Sequence, residues 1–373
     1  MKLRPLLAAT AASALLAGLL AGRAAANDGF AGITAAGLEF QKSDAIVMQS
    51  EDLFIGVDQI RVDYVFKNES AADVAGTVAF PMPPVSIGTF VMSPTIMTPA
   101  DLDKENPLDF TATVDGKPVA VKTERRAYFE PPAGNADPEA PYVPPPPSAA
   151  YDAPGEDVTE LLTGMGIPLS LDPETVMQAL DKLTDEQAKI LKDKGLAERD
   201  TYDNGPEMRW MIGWSIGIRH YWDQSFPAGA EIRISHSYDA FPNGGLFYWY
   251  DWTKPTPDWE TDPNGDDKAK YCIDEGTGKA IMAALPADPE AGGAHHGTAF
   301  NIQYVLTTAN TWKGPIGSFK LTLDKGKAEN VLSVCMDGLA KSGPTSFTVE
   351  KKNFSPDKDL DILVVTADPA FKE

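Results

Sequence analysis

Residues 209–222 read RWMIGWSIGIRHYW, and this stretch decides the fold. Gly213-Trp214-Ser215-Ile216-Gly217 inside it matches G-x-S-x-G, the spacing that elsewhere presents a nucleophilic serine on a sharp strand-to-helix turn. Written at period two, Trp210, Ile212, Trp214, Ile216, Ile218, His220 and Trp222 share one face. Arg209, Met211, Gly213, Ser215, Gly217, Arg219 and Tyr221 share the other. Unbroken alternation of this kind is the signature of a β-strand. It runs straight through Ser215, and the DQSFPAG that follows is a turn rather than a helix. Repeated strand–helix units are absent as well, so Ser215 reads as a strand residue. The run is longer than most strands, which predicts a bulge or bend at Gly213 or Gly217. Glycine on a strand face also admits a bulky neighbour. The expected neighbour is LFYWYDW at 246–252. There Leu246, Tyr248, Tyr250 and Trp252 point one way and Phe247 and Trp249 the other.

Strands continue outward on both sides. DAIVM and DLFIGV, within 44–57, are short and apolar, and QIRVDYVFKN at 59–68 alternates, with Ile60, Val62, Tyr64 and Phe66 on one face. Asn68-Glu69-Ser70 turns the chain, and DVAGTVAFPMPP returns until Pro81, Pro83 and Pro84 end the strand, because proline has no N–H for a ladder. DFTATV, the turn Asp115-Gly116 and KPVAVKTE make a hairpin. AEIRISHSYDAF is another alternating strand, and further strands are expected at 299–308, 316–324, 331–336, 345–351 and 360–366.

Between these β regions lie nine prolines in 131–154, read as an extended linker or exposed loop. The only clear helices follow it. Asp172 caps a helix with Pro173 at its first position and a stripe of Val176, Ala179, Leu180 and Leu183. Thr184-x-x-Gln187 is a capping box for a second helix, which runs to Lys194 and stops at Gly195. The expected fold is therefore mainly β: two β-sandwich-like domains with a Pro-rich linker and a small inserted helical hairpin. The division is an N-terminal sandwich over 27–130, a linker over 131–156, a helical insertion over 157–200 and a C-terminal β region over 205–373. Part of the last, 205–245, is expected to complete the first sandwich.

The N-terminus predicts export. Lys2 and Arg4 precede the apolar run Leu6 to Leu20, and Ala24-Ala25-Ala26 supplies a cleavage site, so 1–26 read as a signal peptide. The run is too short to span a bilayer, no cysteine follows the cleavage site, and no later stretch has the length of a membrane span. Loss of the segment's three basic residues would move the net charge from −22 to −25, which argues against nucleic acid or anionic lipid as partner. The expected place is the periplasm or the cell exterior. Two cysteines, Cys272 and Cys335, are expected to form one disulfide in such a compartment.

Candidate chemistry is sparse. The aromatic stretch, with Tyr248, Trp249, Tyr250, Trp252 and the nearby Asp251 and Asp258, is the candidate binding surface, since stacked aromatics beside carboxylates suit sugar rings. Asp262-Pro263-Asn264-Gly265-Asp266-Asp267 begins like a calcium loop, but its sixth position is Asp267 instead of glycine and its twelfth is Ile273 instead of glutamate, so it reads as a surface turn. His295-His296 sits in a Gly/Ala-rich loop, and His220 and His236 lie on strand faces as core or interface residues. No metal set, cofactor motif or catalytic constellation is recognised.

The chain resembles a family of exported bacterial proteins catalogued only as a domain of unknown function. The matching pieces are NDG at 27–29, IVMQSEDL at 46–53 and VDYVFKNESAADVAGTVAFPMPP at 62–84. They continue in YWDQSFPAGAEIRISHSY at 221–238, TWKGPIGSFKLTLDKG and SVCMDG. The resemblance implies export and carries no catalytic residues. Residues 58–125 alone are faintly similar to the vault/inter-alpha-trypsin type of β-sandwich domain, in V-x-Y-x-F-x-N, FPMPP and FTATVDGKPV, although no D-x-S-x-S metal motif follows. The expectation is a non-catalytic exported envelope protein, a binding or scaffold module for an envelope protein or glycan. The alternatives are an exported hydrolase using Ser215 or an acid pair, and a glycan-binding module using 246–252.

Overall fold

The structure is a computed structural model that describes residues 29–34, 37–92, 101–130, 155–199, 210–251, 262, 264–288 and 293–367. The expected signal segment, most of the proline-rich stretch, Trp252 and Asp258 lie outside the described residues.

The chain is mainly β, with several sheets and few helices. The stretch that decided the fold becomes the strand Trp214–Phe226. It pairs with Lys122–Phe129 along its first half and with Val74–Pro81 along its second. Val74–Pro81 in turn pairs with Gly29–Thr34, and that strand with Gly37–Phe40. The expected bend falls at Gly213. Trp210–Ile212 pairs with Ala197–Arg199 in a separate two-stranded sheet, and the chain enters the large sheet one residue later. A Cβ on Gly213 would lie 2.7 Å from the Gly195 carbonyl oxygen, so only glycine passes here.

The second sheet has eight strands, with Ile316–Asp324, Ile46–Gly56, Gln59–Asn68 and Glu231–Asp239 adjacent in that order. DAIVM and DLFIGV, expected as two short strands, are one strand with a bulge between Met48 and Ser50. Ile316–Asp324 runs parallel to Ile46–Gly56 across a sequence gap of more than 250 residues, with Lys320 Nζ 2.8 Å from Asp52 Oδ2. Asp115 and Gly116, both at positive φ, form the expected hairpin turn.

The third sheet holds Asn243–Trp249, Ala294–Tyr304, Leu360–Thr366 and Val331–Val334. One face joins the main core through Ile302, Tyr304, Ile362 and Val364. The other carries Phe247, Trp249, Leu363 and Val365 under two helices, Gly265–Tyr271 and Glu275–Ala284. These helices correct the expectation of uninterrupted β structure after residue 209. The turn read at Asp262–Asp267 opens the first, and Asp274 caps the second by accepting from the Thr277 N–H. Their glycines and short length, 7 and 10 residues, hid them. The disulfide Cys272–Cys335 ties the end of the first helix to the segment after Val331–Val334.

The three sheets meet at Phe80. Its ring lies 5.3 Å from Phe110, 5.2 Å from His236 and 5.5 Å from Tyr238 on or beside the second sheet, and 6.2 Å from Tyr304 on the third. The caps read from sequence are present: Asp172 accepts from the N–H groups of Glu174 and Thr175, and Thr184 and Gln187 close a capping box. Val176, Leu180 and Leu191 bury into the main core, so the helical segment packs on the β structure.

Candidate functional site

Ser215 sits inside a strand, with Ser86 opposite on one side and Tyr128 on the other. It is 3% exposed. Its hydroxyl bonds the Glu130 carboxylate, which also accepts from Ser86 Oγ at 2.8 Å. Burial pushes the Glu130 carboxyl above the ordinary range, and the two serines pull it back. No histidine is bonded to Ser215. His295 shares a 2.9 Å contact between Nδ1 and the Leu285 carbonyl oxygen, in a different sheet. His220 points to the opposite face of the strand, stacks on Phe110 at 4.3 Å and shares a hydrogen bond with Thr123 Oγ1 at 3.2 Å. Burial, aided by the Arg125 charge, lowers its pKa to about 4; burial, aided by His220, lowers that of His236 to about 3. Both rings stay neutral in the core. The serine therefore lacks both the turn and the base that an acyl-transfer nucleophile needs.

The small face around Ser215 is filled by a residue the sequence reading did not select. The Tyr128 ring covers Gly217, and the Arg219 guanidinium donates to the Tyr128 hydroxyl at 2.8 Å. LFYWYDW, the expected occupant, belongs to the third sheet.

Within that stretch the two faces separate as period two dictates. Phe247 and Trp249 are buried under the helices, so Trp249 takes no part in an outer surface. Tyr248 is 43% exposed and Leu246 64%. Tyr250 and Asp251 are half-buried. Among the described residues of this stretch, Tyr248 is the exposed ring, and it lies beside His296.

A cleft opens where the chain crosses from the second sheet to the third. Glu231–Asp239 ends at Tyr238 and Asp239, Ala240 donates to the Asp58 carbonyl at 2.9 Å, and Phe241-Pro242 leads into Asn243–Trp249. The cleft lies beside this crossover and is partly open to solvent. Its walls come from all three sheets: Ile218, Met82 and Val85 from the first, Ile60 and Tyr238 from the second, Ile302 from the third. Pro83 and Pro84 form one side, where the backbone has no N–H to offer. Asn243, Asn301 and Gln303 supply the polar atoms. Gln303 Nε2 donates to Asp361 at 3.1 Å, whereas Asn301 Oδ1 is buried without a hydrogen-bond partner in the protein. Burial raises the Tyr238 phenol, so it remains protonated. Among the described residues, no Asp, Glu, Lys, Arg or His lines the cleft. Sequence reasoning missed it because its walls are brought together from segments far apart in the chain, from Ile60 to Gln303. FPMPP at 80–84 was the one visible signal, and it read only as a strand end.

Among the described residues, no group of three or more His, Cys, Asp or Glu could hold a metal ion, and no helix is long and apolar enough to cross a membrane.

The profile of a protein family described as "Domain of unknown function (DUF4424)" matches residues 26–363, and the chain belongs to that family. No curated protein matches it. Among solved structures, a Legionella pneumophila protein with a provisional nutrient-binding description is similar at 14% identity and a TM-score of 0.37, covering 92% of this chain and 72% of that one.

Proposed function

We propose that this DUF4424 protein is an exported, non-catalytic binding module whose site is the cleft between its three sheets. The observation that carries the reading is the recess itself, whose apolar walls come from all three sheets and whose polar atoms are the side-chain amides of Asn243, Asn301 and Gln303. A concave apolar pocket with a few convergent polar groups is the usual form of a small-molecule site. The signal-like N-terminus and the single disulfide support an oxidising compartment outside the cytoplasm. The position of Ser215 supports the non-catalytic part, since the motif that suggested a hydrolase is structural here.

The test has two arms. N-terminal sequencing of the protein recovered from its native envelope fraction should begin near Asn27, and an N-terminus at Met1 would overturn export. Native mass spectrometry of the same preparation should show an adduct that disappears in Val85→Trp, which fills the cleft. An adduct that persists in that variant would place binding elsewhere.

A further inference from the structure

We infer that a second site, on the outer surface and apart from the cleft, takes one ring of a neutral saccharide on Tyr248. Asn243–Trp249 and Ala294–Tyr304 pair so that Leu246 lies opposite Thr298 and Tyr248 opposite His296. The face these residues share continues along Ala294–Tyr304 to Ile302 and Tyr304, which belong to the main core. At the other end of the strand pair the same face runs out past that core, and Leu246 and Tyr248 stay exposed. The His296 ring lies 6.4 Å from the Tyr248 ring, tilted by 48° to it. Its Nδ1 is buried and faces Asp288, 3.8 Å from Oδ2. The imidazole and the carboxylate are both partly exposed, so the ring turns its other edge, with Nε2, to solvent beside the tyrosine. A wet aromatic face flanked by an exposed leucine marks a contact surface, and its chemistry selects the occupant. A pyranose ring fits: its C–H face stacks on the aromatic ring, and its hydroxyls both donate to and accept from groups at the rim. A lipid chain would lie over the imidazole and carboxylate with nothing to hydrogen-bond them. A nucleic acid or an acidic sugar would approach a chain of net charge −22, and Asp288 in particular.

The probes are the β-1,4-linked hexamers of glucose and of N-acetylglucosamine, with oligogalacturonate as the anionic comparator. Calorimetric titration into the full-length protein should show a neutral hexamer binding with a Kd on the order of 1 mM, as one stacked ring and a few rim hydrogen bonds allow, and no binding of oligogalacturonate. Tyr248→Ala should weaken the neutral hexamer by about tenfold with an unchanged melting curve, whereas Tyr248→Phe, which keeps the ring, should retain most of the affinity. His296→Ala should weaken it by about threefold, the loss of one exposed hydrogen bond. Val85→Trp, in the cleft, should leave saccharide binding unaltered, so this site and the cleft stand or fall separately. Binding of neither neutral hexamer would overturn the inference, and so would binding that survives Tyr248→Ala. Oligogalacturonate bound as tightly as the neutral hexamers would overturn the assignment of a neutral ligand.

Discussion

The Tyr128 ring lies 2.9 Å from where a Cβ on Gly217 would sit, across adjacent strands of the first sheet. The ring has no easy retreat. It is 7% exposed, and its hydroxyl accepts from Arg219, which also donates to the Leu38 carbonyl at 2.8 Å. Gly217→Ala should therefore overpack this face and cost about 1–3 kcal/mol in urea unfolding. Adding Tyr128→Leu should make the pair of changes less than additive, because the clash is already relieved. Strict additivity would show that the two residues do not compete for one space.

Ser215→Ala should lower stability by about 1–2 kcal/mol, since it removes one of two hydroxyls serving a buried carboxylate. Esterase and peptidase activity against generic substrates should be at background before and after the change. Activity that is present in the wild type and abolished by Ser215→Ala would restore the nucleophile reading.

Glu130 and the core histidines give opposite pH dependences. A raised carboxyl means that the folded state holds its proton more firmly than the unfolded state. Its stabilising effect is complete below the ordinary glutamate value and is lost as pH rises through the raised one. Glu130→Gln should remove that decline, read as urea midpoints on either side of the glutamate range. An unchanged pH profile would show that Glu130 does not titrate differently on folding.

The imidazoles of His220 and His236 are lowered from 6.5 to about 4 and about 3. Unfolded chains take up these protons near the ordinary value and the folded chain does not, so stability is complete above it and falls as the solution is acidified through the folded values. His236→Phe keeps a ring against Phe80, Phe110 and Trp222 and should flatten the acid side of the profile. An acid limb as steep as that of the wild type would refute a buried neutral histidine.

Reduction of Cys272–Cys335 should cost about 4 kcal/mol by the entropy of opening a 63-residue loop. Helical circular dichroism should be lost before the β signal, because the bond anchors the helices that cover Trp249. Thiol labelling of the native protein should find no free cysteine, and two reactive thiols would refute the bond.

Trp249→Ala should cost about 3–5 kcal/mol, the usual penalty for truncating a core aromatic, and Tyr248→Ala almost nothing. Equal effects at the two neighbours would contradict the assignment of opposite faces.

Local rules account for what could be read before the fold was known. The alternation through 210–222 fixes a strand, because successive Cβ atoms point to opposite faces whatever lies beyond them. Asp172, Thr184 and Gln187 fix two helix starts, because a cap satisfies N–H groups only two or three residues away. Asp115-Gly116 fixes a turn for the same local reason. The helices Gly265–Tyr271 and Glu275–Ala284 escaped, since they are too short and glycine-rich to be stable alone and form by packing on Phe247 and Trp249.

By itself the sequence determined which residues share a face along the strands at 59–68, 210–222 and 231–238 and that Ser215 is not on a turn. Only the tertiary structure decided that Tyr128 fills the space at Gly217, that Ile316–Asp324 pairs parallel to Ile46–Gly56, and that Met82, Tyr238 and Asn301 line one cleft. Periodicity is a property of a few consecutive residues. Which faces meet depends on closing loops of many tens of residues, where several pairings bury similar area and the choice is made by how all the surfaces fit at once.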